Sequence, residues 1–422
     1  MREMKDSGVA WIGEIPEEWD LLRFKDHYKN IKEVAGEKSF EYDRLALTLN
    51  GVIKRKKDDS DGLQPKEFDG YQILRKNDFI FKMIDLQNIS TSRVGLSQYT
   101  GLVSPAYIRF TPRKKDSFNK FVYYYLMSMY YNCVFNNLGG NGVRSALNAS
   151  DMGRLMIPYP KIETQHQIAT YLDQKCTQID ALITNQQKQI ERLKAYKQSL
   201  ITETVTKGLN PDVPMKDSGV AWIGEIPEEW DLLRFKDHYK NIKEVAGEKS
   251  FEYDRLALTL NGVIKRKKDD SDGLQPKEFD GYQILRKNDF IFKMIDLQNI
   301  STSRVGLSQY TGLVSPAYIR FTPRKKDSFN KFVYYYLMSM YYNCVFNNLG
   351  GNGVRSALNA SDMGRLMIPY PKIETQHQIA TYLDQKCTQI DNLIAIKQQK
   401  IEKLQQYKKS LIYEYVTGKK EI

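Results

Sequence analysis

The sequence predicts a mixed α/β (α+β) protein: two copies of one globular domain, each followed by a long helix, with the two helices pairing antiparallel as a coiled coil. The first observation is a repeat. Met4 to Asp180 recurs without a substitution as Met215 to Asp391, which is a whole domain rather than the roughly 20 to 50-residue unit of a solenoid. The second is that short period-2 runs and one helical pattern share each copy. The third is a Gly- and Pro-free stretch after "IPYPKIE" that runs to Thr206 and returns after the second copy.

The Gly- and Pro-punctuated lead-in "WIGEIPEEW", Trp11 to Trp19, is expected to be extended and to pin its aromatics on a domain surface. "YQILRKNDFIFKMI", Tyr71 to Ile84, alternates on either side of "RKND" and predicts strand, tight turn and strand. In "AYIRFTP", Ala106, Ile108 and Phe110 share one strand face and Tyr107 and Arg109 the other. From Ser117 to Leu138, Phe118, Phe121, Val122, Tyr125, Leu126, Met129, Cys133 and Val134 recur at helical spacing and predict a core-facing stripe. Tyr123, Tyr124, Tyr130 and Tyr131 are surplus to that stripe, with packing the plainer role and contact with a partner the other.

The long helix carries a 3-4 rhythm through Ile179, Ile183, Gln186, Ile190, Leu193, Lys197 and Leu200. Its counterpart runs through Ile390, Ile394, Lys397, Ile401, Leu404, Lys408 and Leu411. Here the copies diverge: Thr184 corresponds to Ala395, Asn185 to Ile396 and Gln189 to Lys400, yet the rhythm survives. So narrow a seam is not stable alone, and laying one helix on the other buries both. "KGLNPDVP", Lys207 to Pro214, stops the first helix and turns the chain, so the pairing is predicted antiparallel.

Composition narrows the class. Apolar residues at 41% and charged ones at 27% are ordinary for a globular protein. No run reaches the roughly 18 apolar residues of a membrane span, and "MREMKDSG" lacks a signal-peptide pattern, so a cytoplasmic protein is expected. Cys133, Cys176, Cys344 and Cys387 form no metal-ligand spacing and are expected to be reduced thiols. A formal charge of +12 favours a polyanionic partner, nucleic acid foremost, with an acidic membrane surface or plain solubility as other readings.

Catalytic signatures are missing. "GGNG" at Gly139 has the glycines of a phosphate loop but no Lys to reach a phosphate. His166 has no Cys or second His in helical reach, and of His27, His166, His238 and His377 none suggests a metal. "SPAY", Ser104 to Tyr107, is like the tetrapeptide of amino-methyltransferases, but Ala106 stands where that motif needs a second proline, and the Gly-rich cofactor loop is lacking.

The ordered set "IPEEWDLLRFKD", "LRKNDFIF", "GLVSPAYIRF" and "GGNGVRSALNASDMGRLMIPYPKIETQHQIATYLD", followed by the long helix and written twice, resembles the specificity subunit of type I restriction-modification systems. The resemblance implies a chain without catalytic residues. Its target recognition domains would be 1–160 and 211–371, held by conserved helices at 161–210 and 372–422. It implies double-stranded DNA as target and two modification (methyltransferase) subunits as partners, which use S-adenosylmethionine. Through them it implies restriction (endonuclease/translocase) subunits that use ATP and Mg2+; this chain itself would bind no cofactor. Family members usually carry two different recognition domains. Identical ones predict an interrupted palindrome, with the same half-site on each strand.

Base reading needs Lys or Arg beside amides and hydroxyls in loops, because phosphate contacts position and base-edge contacts specify. The first candidate is Lys54, Arg55, Lys56 and Lys57, followed by Asp58, Asp59 and Asp61, which reduce its charge. The second is Lys82, Gln87, Asn88, Ser90, Thr91, Ser92 and Arg93; the third is Asn141, Arg144 and Ser145 between glycines. Their repeats are Lys265, Arg266, Lys267 and Lys268; Lys293, Gln298, Asn299, Ser301, Thr302, Ser303 and Arg304; and Asn352, Arg355 and Ser356. Each could instead be a solvated loop face. Arg93 and Arg304 are expected to read base edges, at about 1 to 3 kcal/mol each. Two other function classes stay open: a basic coiled-coil adaptor for acidic proteins, and an unrecognised nuclease or methyltransferase.

Overall fold

The computed structural model describes residues 2–49, 51–55, 67–84, 93–114, 119–138, 146–260, 262–266, 278–295, 304–325, 330–349 and 357–422. The first copy opens with β1 (Met4–Asp6) and β2 (Glu14–Pro16), then β3 (Asp20–Arg23), α1 (Phe24–His27) and β4 (Tyr28–Asn30). Next come β5 (Leu45–Thr48), β6 (Gly51–Lys54), β7 (Gln72–Leu74), β8 (Phe79–Phe81), β9 (Val94–Leu96), β10 (Gly101–Val103) and β11 (Ile108–Pro112). It closes with α2 (Asn119–Tyr131), α3 (Val134–Leu138), α4 (Ala149–Gly153), β12 (Met156–Tyr159) and α5 (Ile162–Lys207). The second copy repeats this from β13 (Met215–Asp217) to β24 (Met367–Tyr370) and from α6 (Phe235–His238) to α9 (Ala360–Gly364), then α10 (Ile373–Val416).

The centre of each copy is an antiparallel four-stranded sheet, in the first in the order β4-β11-β8-β9. The strand and turn positions expected around "RKND" are present, with Asn77 at φ 69° in the turn, but the strands do not pair with each other. β7 pairs with β10, and β8 enters the central sheet. The alternation expected for "AYIRFTP" is present from Ile108 on, where β11 begins, with both faces covered; Ala106 and Tyr107 lie in the turn before it, and Ala106 is exposed. Phe110 points into the main core, while Arg109, also buried, pairs on the other face with Asp78 at 2.6 Å and Glu33 at 3.0 Å. Hydrogen bonding, first to Arg75 and then to Arg109, holds the Glu33 carboxyl below its ordinary range.

Two expectations are corrected. The lead-in is not a surface strap: β1 and β2 form a hairpin, and Trp19 is buried in the core, edge-on to Phe121 with ring centroids 6.0 Å apart. The core helix ends at Tyr131, and Cys133 is exposed at φ 56°, where the chain breaks before α3. A left-handed residue takes its side chain off the helical stripe that spacing alone assigns. Of the surplus tyrosines, Tyr124 donates to Asp173 of α5 at 2.7 Å, and Lys120 pairs with the same carboxylate. The described cysteines are free thiols, and burial pushes Cys176 and Cys387 up to about 11.

By its contacts the chain forms two compact units: Met1–Gln187 with Gln399–Ile422, and Lys188–Gln398. The divisions fall inside the long helices rather than at their ends, because each helix half packs on the domain beside it in space. Chain order does not decide this. In the first unit, Ile168, Leu172, Cys176 and Ile179 of α5 join Leu411, Ile412, Tyr415 and Val416 of α10 in the domain core. Tyr171 meets Tyr415 at 4.7 Å, and Lys408 pairs with Asp180 at 2.7 Å, so the helix segments run antiparallel. In the second unit, Lys197 pairs with Asp391 at 2.6 Å and Lys397 donates to Gln189 at 2.5 Å. The seam residues are the covered positions of both helices, and Lys197 and Lys408 serve there as ion-pair partners.

Candidate nucleic-acid interface

The hairpin β5–β6 positions the first basic cluster. Leu45, Leu47 and Val52 pack inward against Leu74, Ile80 and Val103; Ile53, next to Val52, faces outward, and Lys54 at the end of the strand is exposed as well. The hairpin lies close on the central sheet because Gly95 faces it: a Cβ there would stand 2.7 Å from both Leu47 and Val52. Lys54 pairs with Asp43 at 2.9 Å and sits 5.5 Å from the Tyr99 ring centroid. That hydrogen bond raises its ammonium pKa. Arg55 donates its backbone N–H to the Arg44 carbonyl at 2.8 Å, while the Arg44 guanidinium lies 5.2 Å over Phe68. This is a basic surface interleaved with aromatics. Lys265 with Asp254 and Tyr310, Arg266, and Arg255 over Phe279 repeat it. Lys56, Lys57, Lys267 and Lys268 lie outside the described residues.

The second cluster is the connection between paired strands β8 and β9, whose ladder continues as Lys82 N–H to Arg93 O at 3.0 Å. Here an expectation is overturned. Arg93 and Arg304 are 2% exposed. Arg93 Nη1 donates to the carbonyls of Ile84 at 3.0 Å and Lys82 at 3.4 Å, as Arg304 does to Ile295 and Lys293. A guanidinium turned onto its own backbone holds the ends of the loop together; it does not project to a base edge. Lys82 and Lys293 are half-buried at the same stem. Gln87, Asn88, Ser90, Thr91, Ser92, Gln298, Asn299, Ser301, Thr302 and Ser303 lie outside the described residues.

The third cluster, Asn141, Arg144 and Ser145 with Asn352, Arg355 and Ser356, is also outside them, but its exit is fixed. Leu147 N–H donates to Met83 O at 3.0 Å, so the stems of the second and third segments meet. Sequence reasoning had no means of joining them, since they lie some 60 positions apart. The first cluster stands apart: Lys54 lies over Tyr99, beyond the C-terminal end of β9, whereas Arg93 precedes its N-terminal end.

Comparison with known proteins decides what such a chain is. The family model for the type I restriction modification DNA specificity domain matches twice, at residues 24–192 and 235–406. The chain belongs to that family. It is a type I specificity subunit, a non-catalytic chain of the DNA-recognition kind. Among curated relatives, the putative type I restriction enzyme MjaX specificity subunit of Methanocaldococcus jannaschii is 26% identical, over 97% of this chain and 95% of its own. The MjaVIII specificity subunit of the same organism is 24% identical over 96% and 93%, and the EcoBI specificity subunit of Escherichia coli 23% over 66% and 61%. A chain from a solved structure concerning complex assembly and conformational transition of the type I R-M system superposes with a TM-score of 0.66 at 12% identity, covering 95% of this chain and 98% of that one. That likeness shows the fold. No helix among the described residues is long and apolar enough to cross a membrane.

Proposed function

We propose that this specificity subunit reads one half-site twice and scaffolds modification subunits around it. The identity of Met4 to Asp180 with Met215 to Asp391 carries the reading. Two domains with the same loops on the same stems select the same bases. In the antiparallel arrangement the sequence predicts, they do so on opposite strands, which makes the target an interrupted palindrome. Residues 1–160 and 211–371 act as the target recognition domains. The helix regions 161–210 and 372–422 dock two modification subunits and, through them, restriction subunits. S-adenosylmethionine, ATP and Mg2+ are used by those partners, in the cytoplasm where the DNA is. Bases are read by the segments around Gln87, Asn88 and Arg144 and their repeats, while Lys54 and Lys265 exchange their carboxylate partners Asp43 and Asp254 for backbone phosphates and Arg55 and Arg266 add phosphate contacts beside them.

Methylation-aware sequencing of DNA from cells expressing this chain with its modification subunit tests the reading. The expected result is one methylated motif with inverted identical halves around a nonspecific spacer; two unrelated halves would falsify it. The helices should also set the spacer. α5 is unbroken from Ile162 to Lys207, and four residues inserted near Asn185 add roughly 6 Å. That equals one or two base pairs at about 3.4 Å each. An insertion variant that assembles and methylates with the original spacer removes the helices as the ruler.

A further inference from the structure

At the β4 edge of the central sheet, and at the matching edge in the second copy, the fold gathers cations that the sequence scatters. In the second unit a concavity of about 450 Å³ is lined by Lys236, Lys240, Asn241, Arg324, Ser361 and Arg365 over a floor of buried Tyr239 and Phe321. Four of its lining side chains are cationic, and none of the lining residues is Asp or Glu.

The walls are built rather than incidental. The Phe235 amide donates to Leu366 O at 2.8 Å and holds α6 against the end of α9. The Arg324 amide donates to His238 O at 2.8 Å, and its Nε donates to Lys236 O at 2.9 Å, which fixes the guanidinium plane. Gly364 keeps that wall in place, since a Cβ would come within 3.3 Å of the Lys236 side chain. Arg365 is tethered at the rim, donating to Ser361 Oγ at 3.1 Å with Asp362 at 3.5 Å. The first unit repeats the set with Lys25, Lys29, Asn30, Arg113, Ser150 and Arg154, including the Arg113 Nε bond to Lys25 O at 2.9 Å.

Like charges gathered at an open concavity repel one another unless an anion joins them. We propose that this concavity grips backbone phosphates of duplex DNA, at a point separate from the base-reading loops; the proposal rests on the DNA-reading function above. The separation follows from the sheet. The concavity lies at the first strand of the order β16 (Tyr239–Asn241), β23 (Ile319–Pro323), β20 (Phe290–Phe292), β21 (Val305–Leu307), and the loop stem held by Arg304 lies at the last. The two are also at opposite strand ends, since Pro323 pairs with Tyr239 while Ile319 pairs with Phe292, which pairs with Val305. Three inter-strand steps of about 4.8 Å and four residue steps of about 3.3 Å give a diagonal of roughly 20 Å. Along B-DNA that is about six base pairs at 3.4 Å each. Each domain therefore holds the duplex at its half-site and again on phosphates displaced from it, and the second hold fixes register without reading sequence.

The test uses the full chain co-purified with its modification subunits and compares wild type with R113Q/R154Q/R324Q/R365Q. A second variant, K29Q/K240Q, alters only exposed lysines and guards against misfolding, which thermal melts monitor. Binding is measured across a salt series on a duplex carrying the methylated motif and on one without it. The expected result is a shallower dependence of log affinity on log salt, by about 0.9 for each phosphate contact removed, with the preference between duplexes retained. Unchanged slope and affinity in both variants overturns the phosphate grip and leaves the DNA-reading function standing. Loss of preference at unchanged slope also overturns it, by making the concavity a base reader. Stabilisation of wild type but not variant by inorganic tripolyphosphate, with DNA binding unchanged, assigns a free anion instead and overturns the DNA assignment. A wild type without sequence preference defeats the DNA-reading function, while the slope difference on any duplex still decides the grip.

Discussion

The two units contain the same domain sequence closed by different helix ends. The first is capped by the end of α10 and the second by the end of α5. In the first, Tyr415 is buried against Tyr171, and the Tyr413 hydroxyl donates to Ile12 O at 3.2 Å beside the Trp11 ring. In the second the corresponding residues are threonines. Thr204 is buried where Tyr415 stands, and Thr202 Oγ1 accepts from Asn343 at 3.0 Å. Trp222, the repeat of Trp11, is 38% exposed and donates to the Tyr336 hydroxyl at 3.3 Å. Identical sequence therefore does not guarantee an identical environment. The sheets agree because the strands and ion pairs that build them lie within the repeat; the helix-facing side of each core differs because its partners, the ends of α10 and α5, lie outside it.

The largest expected effect tests the shared interior. Arg109→Met leaves the Asp78 carboxylate buried without its ion pair, and Arg320→Met does the same to Asp289; each should cost about 3 to 5 kcal/mol in chemical denaturation. Equal losses confirm matched interiors, whereas losses differing by more than about 1 kcal/mol would show the helix ends reaching into the sheets. Next is the helix contact itself. Tyr415→Thr should destabilise by about 2 kcal/mol through lost ring packing, while Thr204→Tyr should stabilise the second unit; a silent Tyr415→Thr would remove the asymmetry.

A pH effect follows from the same tyrosine. Burial first, then the hydrogen bond with Tyr171, pushes the Tyr415 hydroxyl up to about 12. A pKa raised above the unfolded value of about 10 means that the folded state holds the proton more tightly. The stability this adds is fully present below about pH 10 and is lost as pH rises toward 12. Other buried tyrosines titrate in both units, so the readout is the difference between wild type and Tyr415→Phe, which should open only in that alkaline window. A difference constant across pH would mean that the hydroxyl does not titrate there. The smallest effect is again symmetric: Lys197→Ala and Lys408→Ala each remove one ion pair with a half-exposed aspartate, at about 0.3 to 1 kcal/mol. Unequal values in thermal melts would carry the asymmetry into the seam.

Much of this was legible in the residues. The repeat, the position of "AYIRFTP" and the seam from Ile179 to Leu200 could be read because each is a pattern along the chain, and period fixes which side chains share a face. The candidate site was legible only as segments rich in amides and cations. Arg93 was misread because an arginine in a polar stretch looks the same whether it points to solvent or onto its own carbonyls. Pairing β7 with β10 instead of β8 was equally hidden, since a turn signal states where the chain bends and not which strands then meet.

What the sequence by itself determined is therefore the repeat, the helices and their seam, the basic charge and the family resemblance, all of which depend on local order. Tertiary structure alone decided that Trp19 is core, that the stems at Met83 and Leu147 meet, and that Lys236, Lys240, Arg324 and Arg365 line one concavity. It also decided that Tyr415 and Thr204 cap identical domains differently. These are contacts between residues far apart in the chain, and they are fixed by which surfaces bury one another rather than by what stands next in sequence.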